Sequence, residues 1–139
     1  FPSVVSIIVF FLYVLEKKQI TLWKTYLGVL LLVFAFIHFH IQWLLWIAPF
    51  VIMVLIKSSK LKFITFLITF SAFIIPLLYE DRSMSVSLLR TYSLWYDLVP
   101  IPFAIAQKFH DPYIIQSIFH SIFTGASFIL IWRLLRTKE

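Results

Sequence analysis

From Thr25 to Ile56 the chain reads TYLGVLLLVFAFIHFHIQWLLWIAPFVIMVLI, thirty-two residues without one Asp, Glu, Lys or Arg. A bilayer core takes roughly 20 residues of helix per crossing, so this run is too long for one membrane helix and suits a hairpin of two. The only polar interruption is His38-Phe39-His40-Ile41-Gln42, followed closely by Trp43 and Trp46. In lipid the backbone must satisfy its own hydrogen bonds, which favours helices on both sides of that break. The break itself then belongs at a membrane surface, where tryptophan is at home.

The rest of the chain agrees with this. Hydrophobic residues make up 62% and charged residues 13%, and the mean hydropathy is +0.99. Soluble domains carry about 25% charged residues. The net charge of +6 does not point to nucleic acid, because the Lys and Arg residues flank apolar segments instead of forming a stripe with interleaved aromatics. Cysteine is absent, so disulfides and thiolate metal sites are excluded. The chain opens Phe1-Pro2, with no basic stretch before the first apolar run. That reads as a C-terminal piece of a longer protein and not as a signal peptide.

Five apolar segments can be marked, at about 2–15, 25–39, 41–56, 63–79 and 113–132, with a long loop at 80–112. The expected fold is a single all-α integral membrane region with about five transmembrane helices. A barrel is disfavoured because the segments lack alternation of period two. Five crossings alternate sides, which gathers Lys17, Lys18, Lys24, Lys57, Lys60, Lys62, Arg133, Arg136 and Lys138 on one face, nine of the twelve basic residues. The positive-inside bias makes that face cytoplasmic, together with the C-terminus. The turn at 38–42 and the loop at 80–112 share the other face. Within that loop Leu88, Tyr92, Trp95, Tyr96 and Val99 recur near helical spacing after Met84. This predicts an amphipathic interfacial helix ended by Pro100 and Pro102.

Several residues carry candidate chemistry. His38, His40 and Gln42 are hydrogen-bonding groups at the outer face, and a helix would put His38 with Gln42, and Gln42 with Trp46, on shared faces. Their plain reading is a polar turn beside an aromatic belt that includes Trp43. Arg82, Arg90 and Lys108 in the loop suit a phosphate, Arg the more so for its bidentate geometry. His110, Asp81, Asp97 and Asp111 lie in the same loop. In the last segment Gln116, His120 and Thr124 form a polar ridge at i, i+4 spacing. Ser117, Ser121 and Gly125 make a small-residue ridge beside it, which reads as helix packing. The histidine spacings are not those of a metal or haem site, so no cofactor or metal is expected.

The stretch Phe39-His40-Ile41-Gln42-Trp43-Leu44-Leu45-Trp46-Ile47-Ala48-Pro49-Phe50 resembles a segment of polytopic glycosyltransferases of the GT-C superfamily, in particular mannosyltransferase-like bacterial proteins that use polyprenyl-phosphate sugars. Gln42, Trp43, Trp46, Pro49 and Phe50 carry the match, and His40-Ile41 stand where the family usually has Ser-Pro. The resemblance implies transfer of a sugar from a lipid-phosphate donor on the non-cytoplasmic face, with the catalytic Asp in an earlier loop upstream of this chain. It makes His38, His40, Gln42, Trp43, Trp46, Arg82, Arg90 and His110 the expected substrate-binding set. The expected partners are the lipid-linked donor, membrane lipid, and the missing N-terminal half or other membrane subunits. A non-enzymatic membrane subunit or a transporter fragment is the alternative.

Overall fold

The computed structural model describes residues 2–16, 21–86 and 90–136. It is all-helical. Among the described residues six α-helices form: α1 (Pro2–Glu16), α2 (Leu22–Phe36), α3 (Leu44–Lys57), α4 (Lys62–Leu77), α5 (Pro102–Ala106) and α6 (Pro112–Arg136). Short 3-10 turns precede α3 at Ile41–Trp43 and α4 at Ser59–Leu61.

The helices run antiparallel in sequence order, as their contacts show. Tyr26 stacks on Phe50 and Phe34 on Trp43, which sets α2 against α3. Phe70 meets Phe119, and the Gln116 side chain reaches the Ile75 carbonyl, which sets α4 against α6. The core lies where α2 and α6 meet their neighbours, around Leu27, Leu31, Phe34, Ile68, Ile75, Phe123 and Leu130, all within 1% of full burial. Gly28 is the point of closest approach between α1 and α2: a Cβ there would run into the Phe10 ring.

Among the described residues two helical stretches, Ser59–Leu77 and Pro112–Arg136, are long and apolar enough to cross a membrane. The other three main helices have 15, 15 and 14 residues, or about 21–23 Å at 1.5 Å per residue. Helix α2 starts and stops three residues before the expected 25–39. Its end is set by packing. Ile37 turns extended, and Phe39 drops fully buried between Phe34 at 5.0 Å and Phe123 at 5.7 Å.

The loop after α4 departs from expectation. The interfacial helix predicted from Met84 to Val99 is not found among the described residues there, and Leu88 lies outside them. A 3-10 turn at Arg82–Met84 and another at Leu94–Asp97 stand in its place. Local side chains account for this. Asp81 Oδ1 accepts from the Ser83 N–H at 2.8 Å, and Ser93 Oγ accepts from the Trp95 N–H at 3.3 Å. Such bonds offer the backbone an alternative to a helix. The Arg82 guanidinium then donates to the Tyr96 and Val99 carbonyls at 2.7 and 3.0 Å, tying the loop back on itself.

Candidate functional site

Antiparallel packing gives the bundle two chemically different ends. At one end Lys24 and Lys57 lie over the Trp23 ring at 5.9 and 5.2 Å, and Arg136 lies over Trp132 at 4.1 Å. The other end holds the turn at 37–43, the loop after α4 and the start of α6.

At this second end α2 and α4 finish, and the last four carbonyls of a helix have no partner within it. The polar ridge of α6 meets them. Gln116 Nε2 donates to the Ile75 carbonyl at 3.4 Å, and Thr124 Oγ1 donates to the Ala35 carbonyl at 3.3 Å. His120 sits between these two residues, one turn from each. It faces a half-open cleft of about 330 Å³ shared with His38, Tyr79, Gln116, Ser117 and Ser121. The His38 and Tyr79 rings are 5.8 Å apart. Tyr79 is 8% exposed, with its hydroxyl in hydrogen-bonding reach of the Phe39 backbone.

Of the residues expected to bind substrate, His38 lines this cleft. The others lie around it. His40 packs near Trp43, with ring centres 6.1 Å apart, and Trp43 stacks on Trp46 at 5.5 Å and 5°. Gln42 is exposed in the 3-10 turn. Because residues 37–40 are not helical, His38 and Gln42 do not share a helix face, which corrects the expected pairing. Arg82 holds two loop carbonyls. Arg90 and His110 are exposed, in a turn and just before α6 respectively. Asp81 is exposed too; its bonds from the Ser83 side chain and N–H, reinforced by the nearby His40, hold its carboxyl below the usual range. The loop and the histidine turn therefore meet at one end of the molecule.

Sequence reasoning missed Tyr79 as a site residue, read Gln116 and Thr124 as helix packing, and left His120 outside the expected substrate-binding set. For Gln116 and Thr124 that reading describes what they do. The signal for His120 was present in the i, i+4 ridge; nothing in the sequence marked Tyr79, which closes an apolar run.

Comparison with protein families, with curated proteins and with solved structures finds no match for this chain.

Proposed function

We propose that this chain is part of a polytopic membrane glycosyltransferase of the GT-C type. In this reading it crosses the bilayer five times, with its basic end and C-terminus in the cytoplasm. It transfers a sugar from a polyprenyl-phosphate donor to an acceptor hydroxyl on the non-cytoplasmic face. The observation that carries the reading is the cleft of His38, Tyr79, Gln116 and His120, a set of hydrogen-bonding groups at the end opposite the lysines.

The surface supports a membrane setting. On α4, Phe63, Phe66, Phe70 and Phe73 form one outward stripe, exposed by 45–70%. Val4, Val5 and Ile8 on α1, and Leu45, Ile52 and Ile56 on α3, are exposed as well. An apolar surface this continuous belongs against lipid or a partner. Helices α1 to α3 are shorter than a core of about 30 Å, a mismatch that local thinning and snorkelling of the exposed Lys57 accommodate.

In the proposed reaction the acceptor oxygen attacks the anomeric carbon and the polyprenyl phosphate leaves. The resemblance puts the catalytic carboxylate upstream, so the residues here bind and orient. His38, Tyr79 and His120 hold the donor head, with Arg90, His40 and the Trp43–Trp46 stack at the rim. Sugar transfer by the complete protein tests this. His38→Ala and His120→Ala should each lower the rate by about tenfold, the loss of one hydrogen bond to the donor. Unchanged rates in both would remove the cleft from the mechanism.

A further inference from the structure

Helix α1 leans on α2 and stands off α6. The Phe10 ring packs against Gly28, which holds α1 to α2 and leaves a gap on its other side. The gap is an open groove of about 500 Å³, walled by Val9 and Tyr13 of α1 and by Phe128 and Trp132 of α6, with Phe10 and Leu32 as its buried floor. It runs from Ser6 to Tyr13 on one wall and from Phe128 to Leu135 on the other. That is about 10 Å of helix, within the ~15 Å depth of one leaflet's hydrocarbon. Tyr13 and Leu135 lie close to the ends of their helices, Glu16 and Arg136, so the groove reaches the basic end of the bundle.

Its mouth is charged. The Trp132 ring that lines the groove also carries the Arg136 guanidinium, 4.1 Å above its centre. Stacking engages the face of a guanidinium and directs its N–H donors outward in their own plane. Arg133 is exposed on the same last turn, so these two helix ends carry two cations and one acid.

We infer that this groove seats one acyl chain of an anionic phospholipid from the leaflet at the basic end, with the lipid phosphate on the Arg136 guanidinium. This rests on the membrane setting of the chain and not on sugar transfer. The occupant follows from the ring that the two parts share: Trp132 joins an apolar trough to a cation. A helix of another protein covers the trough and brings no anion to Arg136. A free phosphate meets Arg136 and leaves the trough bare. A lipid does both, and an anionic head is favoured over a zwitterionic one because an ammonium beside Arg133 and Arg136 is repelled.

The test titrates the complete protein, in detergent, with dioleoyl phosphatidylglycerol or dioleoyl phosphatidylcholine and counts bound lipid by native mass spectrometry. Phosphatidylglycerol should bind the tighter. Arg136→Gln should weaken it about fivefold, the worth of one basic residue at an anionic surface, and should weaken phosphatidylcholine less. Val9→Trp, which fills the groove, should displace both lipids. Lys60→Gln, in the turn between α3 and α4, should leave the tightest site as it is. All three positions are exposed, so the variants should melt as the parent does without added lipid. Equal losses from Arg136→Gln and Lys60→Gln would overturn the site in favour of diffuse charge attraction. Lipid binding that survives Val9→Trp would take the chain out of the groove. A disulfide between two copies of a Val9→Cys protein in membranes would give the groove to a second copy of this chain. A protein that stays out of the membrane fraction would overturn the membrane setting and this site together, whereas absence of sugar transfer alone would remove only the transferase reading.

Discussion

The two ends of this bundle solve the same problem, that of a helix terminus meeting a polar phase, by different means. At the basic end, long cationic side chains lie over Trp23 and Trp132, keeping their charge toward water and their stems on apolar surface. At the histidine end, neutral side chains reach from α6 to the terminal carbonyls of α2 and α4. The first arrangement tolerates exchange of one cation for another. The second is directional, and it leaves a shaped cleft as its by-product. In the proposed membrane setting the charge bias would specify sidedness, and the directional hydrogen bonds would lie where a ligand is recognised.

The largest expected effect is on sidedness. With His40→Cys and Lys60→Cys in separate proteins, a membrane-impermeant thiol reagent added outside intact cells should label position 40 and leave position 60 untouched. The reverse pattern would invert the ends and remove the outward-facing donor cleft. Next in size is the contrast between two aromatic residues of α6. Phe123 is fully buried and holds Phe39, the anchor of the histidine turn, whereas Trp132 is 51% exposed under Arg136. Phe123→Ala should destabilise the protein by about 3 kcal/mol in thermal unfolding, and Trp132→Ala by far less. Equal losses would mean that the two ends are not packed as differently as their contacts show.

Smaller again is the polar ridge. Thr124→Val keeps the shape and removes the donor to the Ala35 carbonyl. Hydrogen bonds between membrane helices contribute about 0.6 kcal/mol on average, so a drop of that order is expected. Ser121→Ala, which removes a hydroxyl bonded within α6, should leave stability unchanged.

How much of this was legible in the sequence differs between the ends as well. The charge-free run and the flanking lysines announced an all-helical chain, because those signals are local and repeat over many residues. The end of α2 was not legible. It is decided by Phe39 entering a pocket made by Phe34 and by Phe123, which is eighty-four positions further along the chain, and no local pattern encodes that contact. The loop after α4 misled for the opposite reason. Its apolar spacing is helical, but Asp81, Arg82 and Ser93 each capture backbone groups nearby, and these short-range bonds override a weak periodicity. The cleft lay between these cases: the Gln116–His120–Thr124 ridge was visible, whereas its partners on α2 and α4 came into view only with the helix ends.

The subtlest prediction concerns Asp81, whose carboxylate organises the start of that loop. Its bonds to Ser83, with help from His40, favour the charged form and lower its pKa in the folded protein. A carboxyl lowered on folding contributes stability that is present above its unfolded value, near about 3.9, and is lost as pH falls through the lower folded value. The loop at 82–99 should therefore keep its protection in hydrogen exchange at neutral pH and loosen only as the solution is acidified below that range, while α2 and α6 stay protected. Asp81→Asn retains an acceptor for the Ser83 N–H but has no charge to lose, so it should flatten this acid dependence without opening the loop at neutral pH. An unchanged acid response in the variant would assign the effect to another group. It would also leave the closeness of His40 and Asp81 without an electrostatic consequence, and weaken the case that the turn and the loop work as one surface.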